Sequence, residues 1–284
     1  MSVRLSFEVF PPKTEAGLVG LAEAVGRLAV LDPVYTSVTY GAGGGQRDKS
    51  FAAIDAVRTA GPEVPVAAHL TCVGQSRADV EATIARYAQL GVHHIVALRG
   101  DPPEGIDAAY VAHPDGFQST AELVASIAEL GEFEIAVSAY PERHPQSPST
   151  DHDLDVLAAK VDAGATRAMT QMFFDNALFL RYRDRVAARG ITVDLVPGIF
   201  PIHSFDAVSR FAARCGASMP DVLAAEFAGT ATSTELAADL AALQIAELAA
   251  EGVGHVHVYT LNKADLALAV CARLGLVAGA EVGS

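Results

Sequence analysis

The chain has 284 residues, 51% of them hydrophobic, with 20 Lys and Arg against 34 Asp and Glu for a formal net charge of −14. That size can bury a full core, and the charge repels phosphate backbones with no run of Lys and Arg to reverse it locally, which argues against nucleic acid as a partner. No long uncharged apolar run suits a membrane span, no basic leader with a cleavage site opens the chain, and Cys72, Cys215 and Cys271 are too scattered for a disulfide framework or zinc site; the expectation is a soluble cytoplasmic protein.

Apolar, β-branched runs recur along the chain: LSFEVF (5–10), VYTSVTY (34–40), VPVAAHLTC (64–72), HHIVALRG (93–100), EIAVSAY (134–140), ATRAMTQMFF (165–174), DLVPGIF (194–200) and HVHVYTL (255–261). Between them lie segments rich in Ala, Leu, Glu and Arg at helical spacing, including 17–31, 76–91 and 204–216. Gly91, Gly131, Gly164 and Gly190 read as helix ends that each precede the next strand within a few residues. Strand and helix alternating at roughly 30 residues per unit predict an α/β fold, a single (β/α)8 TIM barrel over residues 1–284. An open doubly wound sheet would need a glycine fingerprint after an early strand. TYGAGGGQRDKS (39–50) fails both the dinucleotide and the P-loop spacings, because Gln46 and Asp48 stand where glycines are required. What remains there is a permissive backbone turn.

A barrel of this kind places its active site at the C-terminal ends of its strands. The polar residues at those ends are Glu8, Thr39, Tyr40, His69, Thr71, Arg99, Asp101, Tyr140, Glu142, His144, Gln171, Asp175, Tyr259 and Asn262. Any one of them alone is more often a satisfied structural group, and their convergence is what points to a site. His255 and His257 mimic a metal-binding pair but start their strand without acidic company, so no metal site is expected. His93 and His94 also begin a strand, and Arg181, Arg183 and Arg185 read as a solvated helix face.

SFEVFPPK, SVTYGAGG, HLTC, ALRGDPP, AYPERHP, KVDAGATRAMTQMFFD, PGIFPI and HVYTLNKA, in that order from residue 6 to about residue 275, resemble the 5,10-methylenetetrahydrofolate reductases. The resemblance implies a (β/α)8 barrel that reduces methylenetetrahydrofolate to 5-methyltetrahydrofolate with NADH or NADPH, usually through bound FAD. It implies that Glu8 is the general acid that opens the substrate's five-membered ring and that Asp101 stabilises the resulting iminium. Apolar neighbours Phe7, Val9 and Phe10 are expected to raise the Glu8 pKa, and Pro11 and Pro12 to end its strand. Gln171, Phe205, Tyr259 and Lys263 match substrate-binding positions, with Lys263 where the family often has Arg. Thr39, His69, Arg99, Gly100, Tyr110, Ala139, Tyr140, His144 and Lys160 match cofactor-binding positions.

The chain departs from the family pattern in DLDVLAAKVDAG (153–164), where Val156 replaces Asn and Ala159 replaces Arg. Loss of two anchors for a diphosphate makes tight FAD binding doubtful. The partners expected are a folate substrate and a nicotinamide nucleotide, and a homo-oligomer stays open because barrel exteriors hide subunit contacts. Two other readings are another barrel oxidoreductase acting on a cyclic amine and a non-catalytic folate-binding protein.

Overall fold

A computed structural model describes residues 3–40, 44–102, 105, 108–229 and 232–276. The elements run β1 (Arg4–Val9), α1 (Glu15–Ala29), β2 (Thr36–Val38), α2 (Gly44–Ala60), β3 (Val66–Thr71), α3 (Arg77–Gln89), β4 (His94–Leu98), α4 (Thr120–Leu130), β5 (Glu134–Ala139) and α5 (Thr150–Asp162). They continue with β6 (Arg167–Thr170), α6 (Asn176–Ala188), β7 (Asp194–Val196), β8 (Gly198–Ile199), α7 (Phe205–Arg214), α8 (Asp221–Glu226), α9 (Thr234–Ala250), β9 (His255–Tyr259) and α10 (Ala264–Arg273). Each of the eight expected strand segments holds a strand, the seventh in two pieces. Its break is at Pro197, whose lack of an N–H interrupts the ladder while its carbonyl accepts from His257 N at 2.9 Å.

All pairings are parallel, in the order β7-β6-β5-β4-β3-β2-β1-β9-β8. Because β7 and β8 are halves of one broken strand, the two edges of that order meet and the sheet closes into a barrel. Helices start where the sequence offers a side-chain acceptor: Thr14, Ser76, Ser119, Ser149, Asp175 and Ser233 each take a backbone N–H of the first turn. Three of the four expected terminators, Gly91, Gly164 and Gly190, have positive φ of 68°, 120° and 70°, whereas Gly131 is extended at φ 170°. Of the turn expected at 39–50, the residues from Gly44 onward belong to α2 instead, and Gly41 to Gly43 lie outside the described residues.

Strand alternation sorts side chains between two cores. Leu5, Phe7 and Val9 face out to α1, α9 and α10 or their neighbours, in the shell between strands and helices. Arg4, Ser6 and Glu8 have the opposite parity and face the barrel interior. There Tyr35, Ala67, Val96, Ala136, Met169 and Val196 form a small apolar cluster. Among the described residues no helix is long and apolar enough to cross a membrane.

Candidate active site

A cleft of about 460 Å³ opens over the C-terminal ends of the strands. Glu8, His69, Arg99, Gly100, Asp101, Ala139, Tyr140, His144, Lys160, Gln171 and Tyr259 all line it, so the structure brings together most of the residues singled out in sequence. Thr39, Tyr110, Phe205 and Lys263 do not line it. Tyr110 supports the wall from behind, its ring 4.8 Å beneath the Arg99 guanidinium and its hydroxyl donating to Phe117 O at 3.3 Å. Phe205 stacks on Phe227 with ring centroids 5.6 Å apart. Lys263 is exposed and stands at the start of α10 without a side-chain capping bond, and Thr39 is half-buried, its N–H donating to Val9 O at 3.0 Å.

Glu8 is fixed from its own backbone outward. Thr260 holds the Glu8 carbonyl with both its N–H and its hydroxyl, at 3.2 and 2.6 Å. Two residues on, the Asn262 amide clips Phe10, accepting from its N–H and donating to its carbonyl at 2.8 Å each. Leu261 and Asn262 adopt left-handed φ of 52° and 58° to make that turn. Asn262, a strand-end polar residue in the sequence, is thus a positioning group for the Glu8 strand. Glu142 and Asp175 likewise do structural work: Glu142 Oε1 accepts from Ser218 N at 2.9 Å, and Asp175 caps α6.

The surroundings of Glu8 correct the expectation of a raised pKa. Phe7 and Val9 lie on the opposite strand face and Phe10 is exposed, so none of them encloses the carboxylate. Its neighbours are instead two imidazoles: Oε2 is 3.4 Å from His69 Nε2 and 3.5 Å from His257 Nε2. Burial pushes the Glu8 carboxyl up, but hydrogen bonding to His257 and the positive charge that His69 and His257 can carry outweigh it, and its pKa lies below the ordinary value. Burial in turn holds His69 below the ordinary histidine value, against the pull of Glu8. At neutral pH this open site therefore has an ionised Glu8 beside a mainly neutral His69.

His257 is the site residue the sequence reading passed over. The signal was present as parity, for His255, His257 and Tyr259 share one strand face and register with Arg4, Ser6 and Glu8 on β1. Reading His255 and His257 only as metal candidates hid that face. Among the described residues no group of three or more His, Cys, Asp or Glu is arranged to hold a metal ion.

Tyr259 crosses the mouth beside Glu8, its hydroxyl donating to Thr170 O at 3.1 Å. Gly198 makes room for that ring, because a Cβ there would lie 2.9 Å from Tyr259 Cε2 and 2.4 Å from Thr170 O. Gly100 is required for the same kind of reason: it has φ +84°, and a Cβ would sit 2.5 Å from Val73 Cγ1. The next residue, Asp101, is exposed at the cleft edge. Tyr140 is held protonated by burial and then by the charge of Asp101, and its ring meets His144 edge-on at 4.6 Å.

The other arm of the cleft was expected to cradle a flavin diphosphate. Lys160 is buried there, and its Nζ donates to Ser138 O at 2.9 Å and to Ser138 Oγ at 3.4 Å. Burial lowers its pKa to about 8, with Asp153 opposing and Arg99 adding to the shift. Arg99 is engaged by Gln146 and by Tyr110. Val156 presents an apolar side chain to the same wall, 38% exposed, and Asp153 adds a carboxylate. Arg99 and Lys160 thus face three acids, Glu8, Asp101 and Asp153, among the described lining residues. Both cations of this arm among the described lining residues, Arg99 and Lys160, are already engaged, by Gln146 and by Ser138.

The model of the methylenetetrahydrofolate reductase family matches residues 1–275. The chain belongs to that family. It is 40% identical over 279 residues to a 5,10-methylenetetrahydrofolate reductase of Pectobacterium carotovorum, covering 96% of this chain and 91% of that one. To the Escherichia coli enzyme of the same name it is 40% identical over 282 residues, covering 98% and 92%. In fold it is similar to a Clostridium thermocellum protein described as binding two copies of 5-methyl-5,6,7,8-tetrahydrofolic acid, at a TM-score of 0.66, 14% identity and 96% coverage of both chains. The match thus extends over nearly the full length of the chain.

Proposed function

We infer that this protein reduces 5,10-methylenetetrahydrofolate to 5-methyltetrahydrofolate with hydride from a reduced nicotinamide nucleotide, and that Glu8 is its general acid. Membership of the family supports the reaction, and a relative from Oryza sativa described as a probable NADH-type reductase supports the nicotinamide. The observation that carries the residue assignment is the placement of Glu8 on the floor of the one cleft that also holds Asp101, Gln171 and Tyr259.

In this reading a proton from Glu8 goes to N10 as its bond to the bridging carbon breaks, and an iminium forms at N5. Hydride then reduces the iminium carbon to a methyl group, so one proton and one hydride are consumed. The Asp101 side chain stabilises the cationic intermediate electrostatically. Gln171 offers donor and acceptor atoms to the pterin edge, and Tyr259 supplies its ring face. Phe205 and Lys263 are assigned to the outer part of the folate, Lys263 meeting a carboxylate without bidentate geometry. His69, Thr39, Arg99, Gly100, Tyr110, Ala139, Tyr140, His144 and Lys160 are assigned to the cofactor side, where a flavin diphosphate is held weakly.

An ionised Glu8 is the resting state, and a bound pterin converts it to an acid. The pterin takes water from the mouth, which strengthens burial, already the largest influence on this carboxyl, while a neutral His69 adds no compensating charge. Glu8→Gln is expected to lower turnover by about 10²–10⁴-fold with folate affinity nearly unchanged, measured by NADH oxidation and by folate binding. Near-normal turnover would remove Glu8 from the mechanism.

A further inference from the structure

Behind Glu8 the interior of the barrel is polar to its far end. His257 is fully buried, with its Nε2 3.5 Å from Glu8 Oε2 and its Nδ1 2.7 Å from Ser6 Oγ. Ser6, also fully buried, is in turn 2.9 Å from His255 Nε2. His255 Nδ1 is buried with no hydrogen-bond partner among the described residues. The same residue borders a second cleft of about 320 Å³ on the opposite face of the barrel, with Arg4, Asp194, Val253 and Gly254. An unpartnered buried nitrogen beside a cleft is where a solvent molecule docks.

We propose that His257, Ser6 and His255 form a proton relay that feeds Glu8 from the face of the barrel opposite the substrate. The proposal rests on Glu8 being the acid. Donors can be aligned toward Glu8 at every step: His255 Nε2–H to Ser6 Oγ, Ser6 Oγ–H to His257 Nδ1, and His257 Nε2–H to Glu8. The transfer is balanced. His257 gives its Nε2 proton to the Glu8 carboxylate, Ser6 gives its proton to His257 Nδ1, His255 gives its Nε2 proton to Ser6, and His255 Nδ1 takes one proton from bulk solvent through a water at the far cleft, so that one solvent proton is consumed for the one Glu8 gains. Only the outermost link, at 3.5 Å, is longer than a hydrogen bond, and a small turn of the carboxylate closes it. After each cycle both imidazoles hold their proton on Nδ1, and the direction is restored when the Ser6 hydroxyl reorients and each ring exchanges that proton back to its Nε2 tautomer. His257 touches the reacting acid, whereas Ser6 and His255 act through it as positioning and delivery groups.

The relay answers a need set by the site's own electrostatics. A pterin lying across the mouth seals Glu8 from solvent at the moment when it must take up a proton, and the interior is then the remaining route. His69 also touches Glu8, Nε2 to Oε2 at 3.4 Å, but it lines the substrate cleft itself and is sealed by the pterin together with Glu8.

The test compares Ser6→Ala, which removes the bridging hydroxyl, with His255→Phe, which fills the ring's space against Tyr35, and with Ser6→Thr, which keeps a hydroxyl. Turnover with methylenetetrahydrofolate, its solvent deuterium isotope effect, folate binding and thermal melting are measured for each. The expected result is a loss of about 10–100-fold in turnover for Ser6→Ala and His255→Phe, smaller than the loss for Glu8→Gln. Folate affinity should hold, the isotope effect should grow, and Ser6→Thr should recover turnover. If Ser6→Ala does not fold, His255→Phe carries the test alone. Wild-type turnover and isotope effect in the relay variants, with Glu8→Gln inactive, would overturn the relay and leave Glu8 as the acid. Normal turnover in Glu8→Gln as well would overturn both. A loss of turnover without a change in isotope effect would assign these residues a structural role and also reject the relay.

Discussion

The barrel interior has two unlike halves. Midway along their length strands β3 to β7 contribute Ala67, Val96, Ala136, Met169 and Val196, an apolar layer on which the Tyr35 hydroxyl meets the Met169 sulfur at 3.1 Å, with polar residues such as His69, Ser138 and Arg167 only toward the strand ends. Strands β1, β2 and β9 contribute Ser6, Glu8, Ser37, His255 and His257, linked to one another and isolated from solvent except at the ends. The first half gains stability from burial at little risk. The second carries groups whose burial costs free energy unless each is partnered, and it leaves His255 Nδ1 unpartnered. A fold that needed only stability would fill both halves alike, so the polar half is where function is expected to be stored.

The contrast is broken most directly at the mouth, where Asp101 stands over the apolar half and Glu8 over the polar one. If Asp101 works by its charge alone, Asp101→Asn is expected to lower turnover by about 10²–10³-fold, without the pH shift or solvent isotope response of a proton donor. A rise confined to the folate KM would make Asp101 a binding group instead. Next in size is the cofactor arm above β3 to β5. Protein purified without added flavin is expected to show no band near 450 nm, because Val156 and Ala159 offer a diphosphate no donor. Val156→Asn with Ala159→Arg is expected to raise FAD affinity by about 10–100-fold, read by flavin titration. A yellow wild-type protein with one flavin per chain would reject that account.

The fold was legible because it depends on features a sequence displays directly. Alternating strand and helix segments gave the barrel, and Pro197 was visible inside DLVPGIF, although its role in splitting the seventh strand needed the pairing of β7 with β6 and β8 with β9. The mouth residues were legible in part, since strand ends can be counted and family motifs sit on them. The environment of Glu8 was not. Neighbours in sequence, Phe7 and Val9, point away from it, while its neighbours in space come from 61 and 249 positions further along the chain, at His69 and His257, and are brought in by closure. Lys160 was placed correctly at the cleft, but its commitment to Ser138 depends on the packing of α5 on β5.

The smallest effect concerns stability at acid pH, and it separates the halves without reference to activity. Burial lowers the His255 pKa to about 3, helped by the charges of His257, Arg167 and Arg4. The groups facing it are Arg4 and Ser6 on β1, Arg167 on β6, Asp194 on β7 and the Tyr35 ring, whose centroid is 5.8 Å away and edge-on. In the unfolded chain this imidazole takes up a proton near pH 6.5, whereas in the folded protein it stays neutral down to about pH 3. Between those values the unfolded state binds more protons, so stability rises with pH and falls on acidification. One such group contributes up to about 1.4 kcal/mol per pH unit. His69, whose pKa is also lowered by burial, adds in the same direction. His255→Phe is therefore expected to flatten the fall in unfolding free energy between pH 6.5 and the onset of acid denaturation, while Val196→Ala, in the apolar half, lowers stability by about 2 kcal/mol at every pH. Parallel pH profiles for His255→Phe and the wild type, followed by urea unfolding, would mean that His255 titrates alike in the folded and unfolded protein and that burial does not hold it neutral in acid.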